Sequence, residues 1–195
     1  DNYGGGGSLI GVRAGTLFVG EGAVLQNNVI RSTGHWYPEA GGAIFANEGT
    51  VNVEGGTIRG NSAVYGGGIC ALGSSAVVNM SSGNITGNSA VKGTADVPGG
   101  YSGCGGGVCI YNGADMNFSG GSISDNNAFN RGGGISASVE YILTDDEIDA
   151  SVLTMTGGTV AGNIAGGTGG GIYVQCGLSA SYHNGRSTQG IAYIT

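Results

Sequence analysis

Proline is almost missing from this chain, with 2 in 195 residues, and tryptophan occurs once. Charge is scarce as well: 6 Lys/Arg and 13 Asp/Glu give a net charge of -7. So few basic residues, scattered along the chain, argue against a nucleic-acid partner, which needs clustered Lys/Arg to neutralise phosphates. No apolar run is long enough to span a bilayer, so membrane insertion is not expected. No secretory signal is readable, and Asp1 in place of an initiator Met is expected of a processed or chosen start. Disorder is a poor reading, because hydrophobic residues make up 39% and the Val, Ile and Thr content suits strands. Glycine, by contrast, is abundant at 45 residues, yet it shows no three-residue period, which excludes collagen.

Four cysteines are present, Cys70, Cys104, Cys109 and Cys176, with no C-x-x-C pair among them, so a zinc ribbon is not indicated.

What the chain does contain is a phrase written five times: a triplet with hydrophobic ends, a glycine, an aliphatic residue and an Asn. The copies are Leu17-Phe18-Val19 with Val24 and Asn27, and Val51-Asn52-Val53 with Ile58 and Asn61. Three more follow: Val78-Asn79-Met80 with Ile85 and Asn88, Met116-Asn117-Phe118 with Ile123 and Asn126, and Leu153-Thr154-Met155 with Val160 and Asn163. The step from triplet to aliphatic is 5 in every copy, and the step from aliphatic to Asn is 3. A fixed internal spacing of this kind marks a solenoid. A second signal is a glycine run ending in an aliphatic residue, at Ile44, Ile69, Val108, Ile135 and Ile172, with spacings of 25, 39, 27 and 37. The short spacings give the bare coil; the long ones are coils carrying insertions.

Segments this short cannot bury a face alone, whereas stacked coils can. The fold expected is all-β: a right-handed, single-stranded parallel β-helix of about five to six coils, each with three short strands. It forms one domain over 1–195, with 1–16 irregular or a partial coil, 17–176 the repeat coils and 177–195 a C-terminal partial coil. The handedness follows the general preference of parallel crossovers. The repeated residues Asn27, Asn61, Asn88, Asn126 and Asn163 read as structural corners that tolerate the left-handed region and bond to the equivalent Asn of the next coil; the competing reading is a row of polar ligands.

The pairing of Gly41-Gly42-Ala43-Ile44 with Ile58-Arg59-Gly60-Asn61, Ile85-Thr86-Gly87-Asn88, Ile123-Ser124-Asp125-Asn126 and Val160-Ala161-Gly162-Asn163 resembles the GGAI and FxxN repeats of chlamydial polymorphic outer-membrane proteins and similar autotransporter passengers. Ile or Val stands here in place of their Phe. The resemblance covers roughly 17–176 and implies a surface-displayed, often adhesive β-helix.

Insertions mark the working face of a solenoid. Two long inserts fall at the same corner, two coils apart. The first holds His35, Trp36, Tyr37 and Pro38; the second holds Val97, Pro98 and Tyr101. His35, Trp36, Tyr37 and Tyr101 are therefore the candidate contact residues for a glycan or a host surface protein, against the alternative that these loops cover their own coils. A third insert carries Asp145, Asp146, Glu147 and Asp149, a candidate Ca²⁺ site through carboxylate oxygens or simply a solvated acidic surface; no other cofactor is indicated. Cys70 and Cys109 share one register, so stacking brings their Cα atoms to ~4.8 Å, inside the ~4.4–6.8 Å a disulfide needs. Cys104 and Cys176 are left to pair with one another or with other chains, and all three connectivities stay open. Three sequons, at Asn79, Asn84 and Asn117, lie in or beside predicted strands, which are poor acceptors.

Many parallel β-helices cut polysaccharides, but such sites need carboxylates clustered with Arg or Lys. Here the outward positions read Asn, Ser, Thr, Gly and Tyr, and His35 and His183 lie far apart. The expectation is a non-catalytic, extracellular, cell-surface protein. Its first reading is a structural subunit that self-associates into a sheath, filament or surface layer, because no polar cap is readable at either end and open strand edges recruit more strand. The alternative is an adhesin module of a larger surface protein that binds a glycan or host protein through the Trp36 loops, and after it a polysaccharide lyase or hydrolase.

Overall fold

The structure, a computed structural model, describes residues 7–31, 40–93, 102–138, 150–175 and 191–195. Among these there are strands and turns and no helix. The strands form three parallel sheets, and in each the order follows the coils.

The first sheet has six strands: Ile10–Arg13, Ile44–Asn47, Ile69–Leu72, Val108–Tyr111, Ile135–Ser138 and Ile172–Val174. The second carries the triplets and the following aliphatics, as single ten-residue strands in Thr50–Arg59 and Val77–Thr86 and as split pairs elsewhere. It ends on Ile191–Ile194, which pairs with Val152–Met155. The third is the short sheet of Ser62–Ala63, Ser89–Ala90, Asn127–Ala128 and Ile164–Ala165. Consecutive turns of chain thus lie directly on one another, an arrangement that fits a parallel β-solenoid. Ile10–Arg13 already pairs with Ile44–Asn47, so ordered stacking begins before the first triplet.

Period-two alternation sends every second side chain inward. Register pairing then piles like on like: Ile44, Ile69, Val108 and Ile135 form one buried column, and Ile58, Ile85 and Ile123 another. Each fully buried Ile contributes about 1.5–3 kcal/mol relative to exposure. A one-residue slip would turn every such column to solvent, so the pattern fixes the register. Two residues after the Asn, Ala63, Ala90, Ala128 and Ala165 stack in register, and the first three are buried.

The glycine runs do two jobs. Their first member is left-handed, as at Gly66 (φ 62°) and Gly132 (φ 63°), which costs glycine nothing. At the second member the coils nearly touch: a Cβ on Gly67 would lie 2.5 Å from the Gly106 carbonyl oxygen.

Candidate functional site

The most regular polar feature is a column of Asn side chains inside the stack. Asn61, Asn88 and Asn126 are buried. The backbone N–H of Asn61 donates to Asn88 Oδ1 at 3.0 Å, and Asn61 Nδ2 donates to the same oxygen at 3.0 Å. Asn88 repeats both bonds to Asn126, and Asn126 repeats them to Asn163. Each Nδ2 also donates backward, to the carbonyl of the aliphatic residue one coil earlier: Asn88 to Ile58, Asn126 to Ile85, Asn163 to Ile123. Buried amides are tolerated because they are satisfied.

Two features of the corner differ from expectation. The left-handed residue is not the ladder Asn but the one before it: Gly60 (φ 63°), Gly87 (φ 63°), Asp125 (φ 56°) and Gly162 (φ 65°). In the first coil, Asn27 (φ 61°) holds that left-handed place, and Asn28 is the rung, its N–H donating to Asn61 Oδ1. The reason is one extra residue between triplet and aliphatic: Leu25, not Val24, pairs with Ile58. The Asn27–Asn28 doublet is the sequence signal that the uniform count passed over.

The ladder has direction. In the bonds from rung to rung, the backbone N–H of Asn28, Asn61, Asn88 and Asn126 and the Nδ2 of Asn61, Asn88 and Asn126 donate toward the C-terminal coils. Asn163 is the last described rung, and its backbone N–H and second Nδ2 hydrogen meet no acceptor among the described residues. At the other end, Asn28 spends Nδ2 on the Gly7 and Gly42 carbonyls, and its Oδ1 accepts nothing among the described residues. The core is open at the same two levels. Leu17 and Leu25 in the first coil, and Met155, Val160, Ile172 and Val174 in the last two, point into the core but are only partly buried. Their counterparts in the middle coils are fully covered.

A second ladder runs along the outside of the second sheet: Asn117 Nδ2 donates to Asn79 Oδ1 at 2.9 Å, and Asn79 Nδ2 to Asn52 Oδ1 at 2.8 Å. All three sequon residues, Asn79, Asn84 and Asn117, lie in paired strands, and Asn79 and Asn117 are held by their side chains as well.

On the outer side of the first sheet, Cys70 and Cys109 are register partners, as expected. The disulfide that this register would allow is not formed: the three described cysteines, Cys70, Cys104 and Cys109, are thiols. The Cα criterion alone is too lenient. A disulfide also needs Cβ atoms ~3.5–4.5 Å apart, and side chains standing upright on paired strands keep nearer the ~4.8 Å strand spacing. The thiols are instead buried in a satellite cluster with Val64, Tyr65 and Tyr111, whose tyrosine rings lie 5.7 Å apart. The period-two pattern marked these positions as outward and gave no hint that they would be covered.

The remaining candidates, His35, Trp36, Tyr37, Tyr101, Asp145, Asp146, Glu147, Asp149 and Cys176, lie outside the described residues. Among the described residues, no three His, Cys, Asp or Glu side chains come together as a metal site.

Comparison with known proteins adds no relative. No protein-family profile matches the chain, nor does any curated protein or solved structure.

Proposed function

We propose that this chain is a non-catalytic, extracellular structural protein. In this reading it is a right-handed parallel β-helix subunit that self-associates, end to end, into a cell-surface sheath, filament or layer. The observation that carries the proposal is the state of the two ends. The inward aliphatic columns finish half-covered at Leu25 and at Val160, while the same column between them is closed. Among the described residues, Ile10–Arg13 and Ile172–Val174 are the outermost strands of the first sheet. Open parallel edges backed by uncovered apolar side chains are the features that add further strands. On the described outward face of the second sheet, Asn52, Asn79, Asn117, Thr86 and Ser124 are engaged with one another from coil to coil, which supports a structural role.

Sedimentation velocity over a wide concentration range tests this. Self-association predicts a weight-average mass that climbs with concentration and falls in denaturant. A chain that stays monomeric throughout, and binds a glycan array in a manner lost on Trp36→Ala, would overturn the proposal in favour of adhesion.

A further inference from the structure

The C-terminal end of the stack has a step in it. The sixth coil covers the first sheet with Ile172–Val174 and the second with Ile191–Ile194, beyond which the Thr195 N–H donates to the Met155 carbonyl. Among the described residues no strand covers Thr159–Ala161 or Ile164–Ala165, each the last in its sheet. The third side is therefore a slot one strand deep, between strands that stand one coil higher. We infer that this slot binds an extended segment of another protein chain, reading Ile/Val-x-Gly-Asn-x-Ala, as an added parallel strand. Such binding goes beyond self-association and does not depend on it.

The coil beneath shows what the slot lacks. Toward the fifth coil, the Asp125 N–H donates to the Ala161 carbonyl, and the Asn126 N–H and Nδ2 donate to Asn163 Oδ1. In return the Ile123 carbonyl accepts from Asn163 Nδ2, the Asn126 carbonyl from the Ile164 N–H and the Ala128 carbonyl from the Gly166 N–H. The equivalent groups of the fifth coil meet no partner among the described residues. These are the Gly162 N–H, the Asn163 N–H and second Nδ2 hydrogen, and the carbonyls of Val160, Asn163 and Ala165.

They specify the occupant position by position. An Asn side chain offers one oxygen to both Asn163 donors and an amide hydrogen to the Val160 carbonyl, as Asn163 does for Asn126 and Ile123. An aliphatic residue three positions earlier covers Val160, which is half-buried while Ile58, Ile85 and Ile123 of its column are closed. The residue before the Asn is left-handed at Gly60, Gly87 and Gly162, a conformation glycine adopts freely. Ala continues the stack of Ala128 and Ala165. At the lip, Ile164 is 64% exposed in the register where Ser62, Ser89 and Asn127 stand below, so the outer edge of the slot is apolar.

A folded second copy does not fit. Its Leu25 shares a coil with Ile10–Arg13 and Thr16–Val19, which would meet Ile172–Val174 and Ile191–Ile194 before Leu25 reached Val160. Its described segments of the required pattern, 58–63, 85–90 and 160–165, are already built into its own sheets. The occupant is a segment that its own protein leaves unpaired.

The probe is a fluorescein-labelled peptide of residues 55–64, which carries Ile58, Gly60, Asn61 and Ala63, titrated with the full chain and read by anisotropy. Saturable 1:1 binding is expected. The Asn61→Ala peptide should bind about tenfold more weakly, since it leaves the Asn163 donors without an acceptor. On the chain, Val160→Lys should abolish binding: its ammonium reaches solvent through the empty slot and is trapped by a seated strand. Leu25→Lys, at the other open edge, should leave binding unchanged, and circular dichroism confirms that both variants keep their strands. A parent peptide that does not bind, an Asn61→Ala peptide that binds equally well, or binding lost on Leu25→Lys and kept on Val160→Lys overturns the inference. So does displacement of the peptide by excess unlabelled chain, which would make a second copy the occupant. A chain that binds the peptide yet stays monomeric in sedimentation keeps the slot and loses the proposed function.

Discussion

Asn88 Oδ1 accepts two hydrogen bonds from one residue, the backbone N–H and the side-chain amide of Asn61, both at 3.0 Å. One oxygen thereby holds both the chain and the side chain of the coil before it. The residue works as a staple between coils, which is why the spacing that leads to it is so constant.

Removing that staple should be costly. Asn88→Ala leaves the buried Asn61 N–H without its acceptor and removes the amide that donates to the Ile58 carbonyl and Asn126 Oδ1. A loss of about 3 kcal/mol is expected, from one buried donor left unsatisfied and the inter-coil bonds lost with it. Asn88→Asp should be no better. Its carboxylate would keep the acceptor but face the Ile58 carbonyl and Asn126 Oδ1 with no hydrogen to offer. Urea midpoints of the three proteins check the order; an Asp variant as stable as the parent would contradict it.

The outer ladder should behave differently. Asn79 makes the same kind of side-chain bond, to Asn52 and from Asn117, but on a solvent-facing sheet. Water can replace either partner there, so Asn79→Ala should cost no more than about 1 kcal/mol. The contrast between Asn79→Ala and Asn88→Ala in one denaturation series separates inward from outward ladders.

Two glycines should separate conformation from space. Gly87 has φ 63° and nothing within 4 Å of an added Cβ, in a column where Asn27 and Asp125 adopt the same φ sign. Gly87→Asn should therefore lie within about 0.5 kcal/mol of the parent and Gly87→Ala about 1 kcal/mol below it. Gly67→Ala should lose about 2 kcal/mol or more, because its Cβ would push against the backbone of the next coil at Gly106 and of Ser89. Thermal melts of the three variants decide this.

The cysteines give a chemical check. Cys70 and Cys109 are buried thiols facing each other across two strands. Iodoacetamide should leave both unmodified in the native protein and alkylate both in denaturant without any reductant, as read by peptide mass mapping. Alkylation that requires reductant would show that they are bonded after all.

What was legible in the sequence was whatever repeats through the core. The columns through Ile58, Ile85 and Ile123 and through Ile69, Val108 and Ile135 follow from spacing alone, since burial on one face and a fixed turn length leave one register. The amide ladder was legible for the same reason. Its first rung was not, because Asn27 satisfies the count while Asn28 satisfies the geometry, and a single inserted residue looks the same as regular spacing when the neighbouring aliphatics are Val24 and Leu25. The satellite cluster around Cys70, Cys109 and Tyr111 was illegible because an outward strand position carries no mark of what will later lie over it. The open ends could be read only as a missing cap; the polarity that distinguishes them is a matter of which atom points along the axis, and no residue type encodes that.

The coil order has a mechanical consequence. The inter-coil hydrogen bonds, from the Asn rungs to the paired strands, run along the stack. A load pulling the two ends apart therefore reaches each inter-coil layer in series, and the weakest layer sets the strength of the whole. A load shearing across the stack is shared within a layer by many bonds at once. The protein should be soft in tension along its axis, peeling one coil at a time, and stiff against shear.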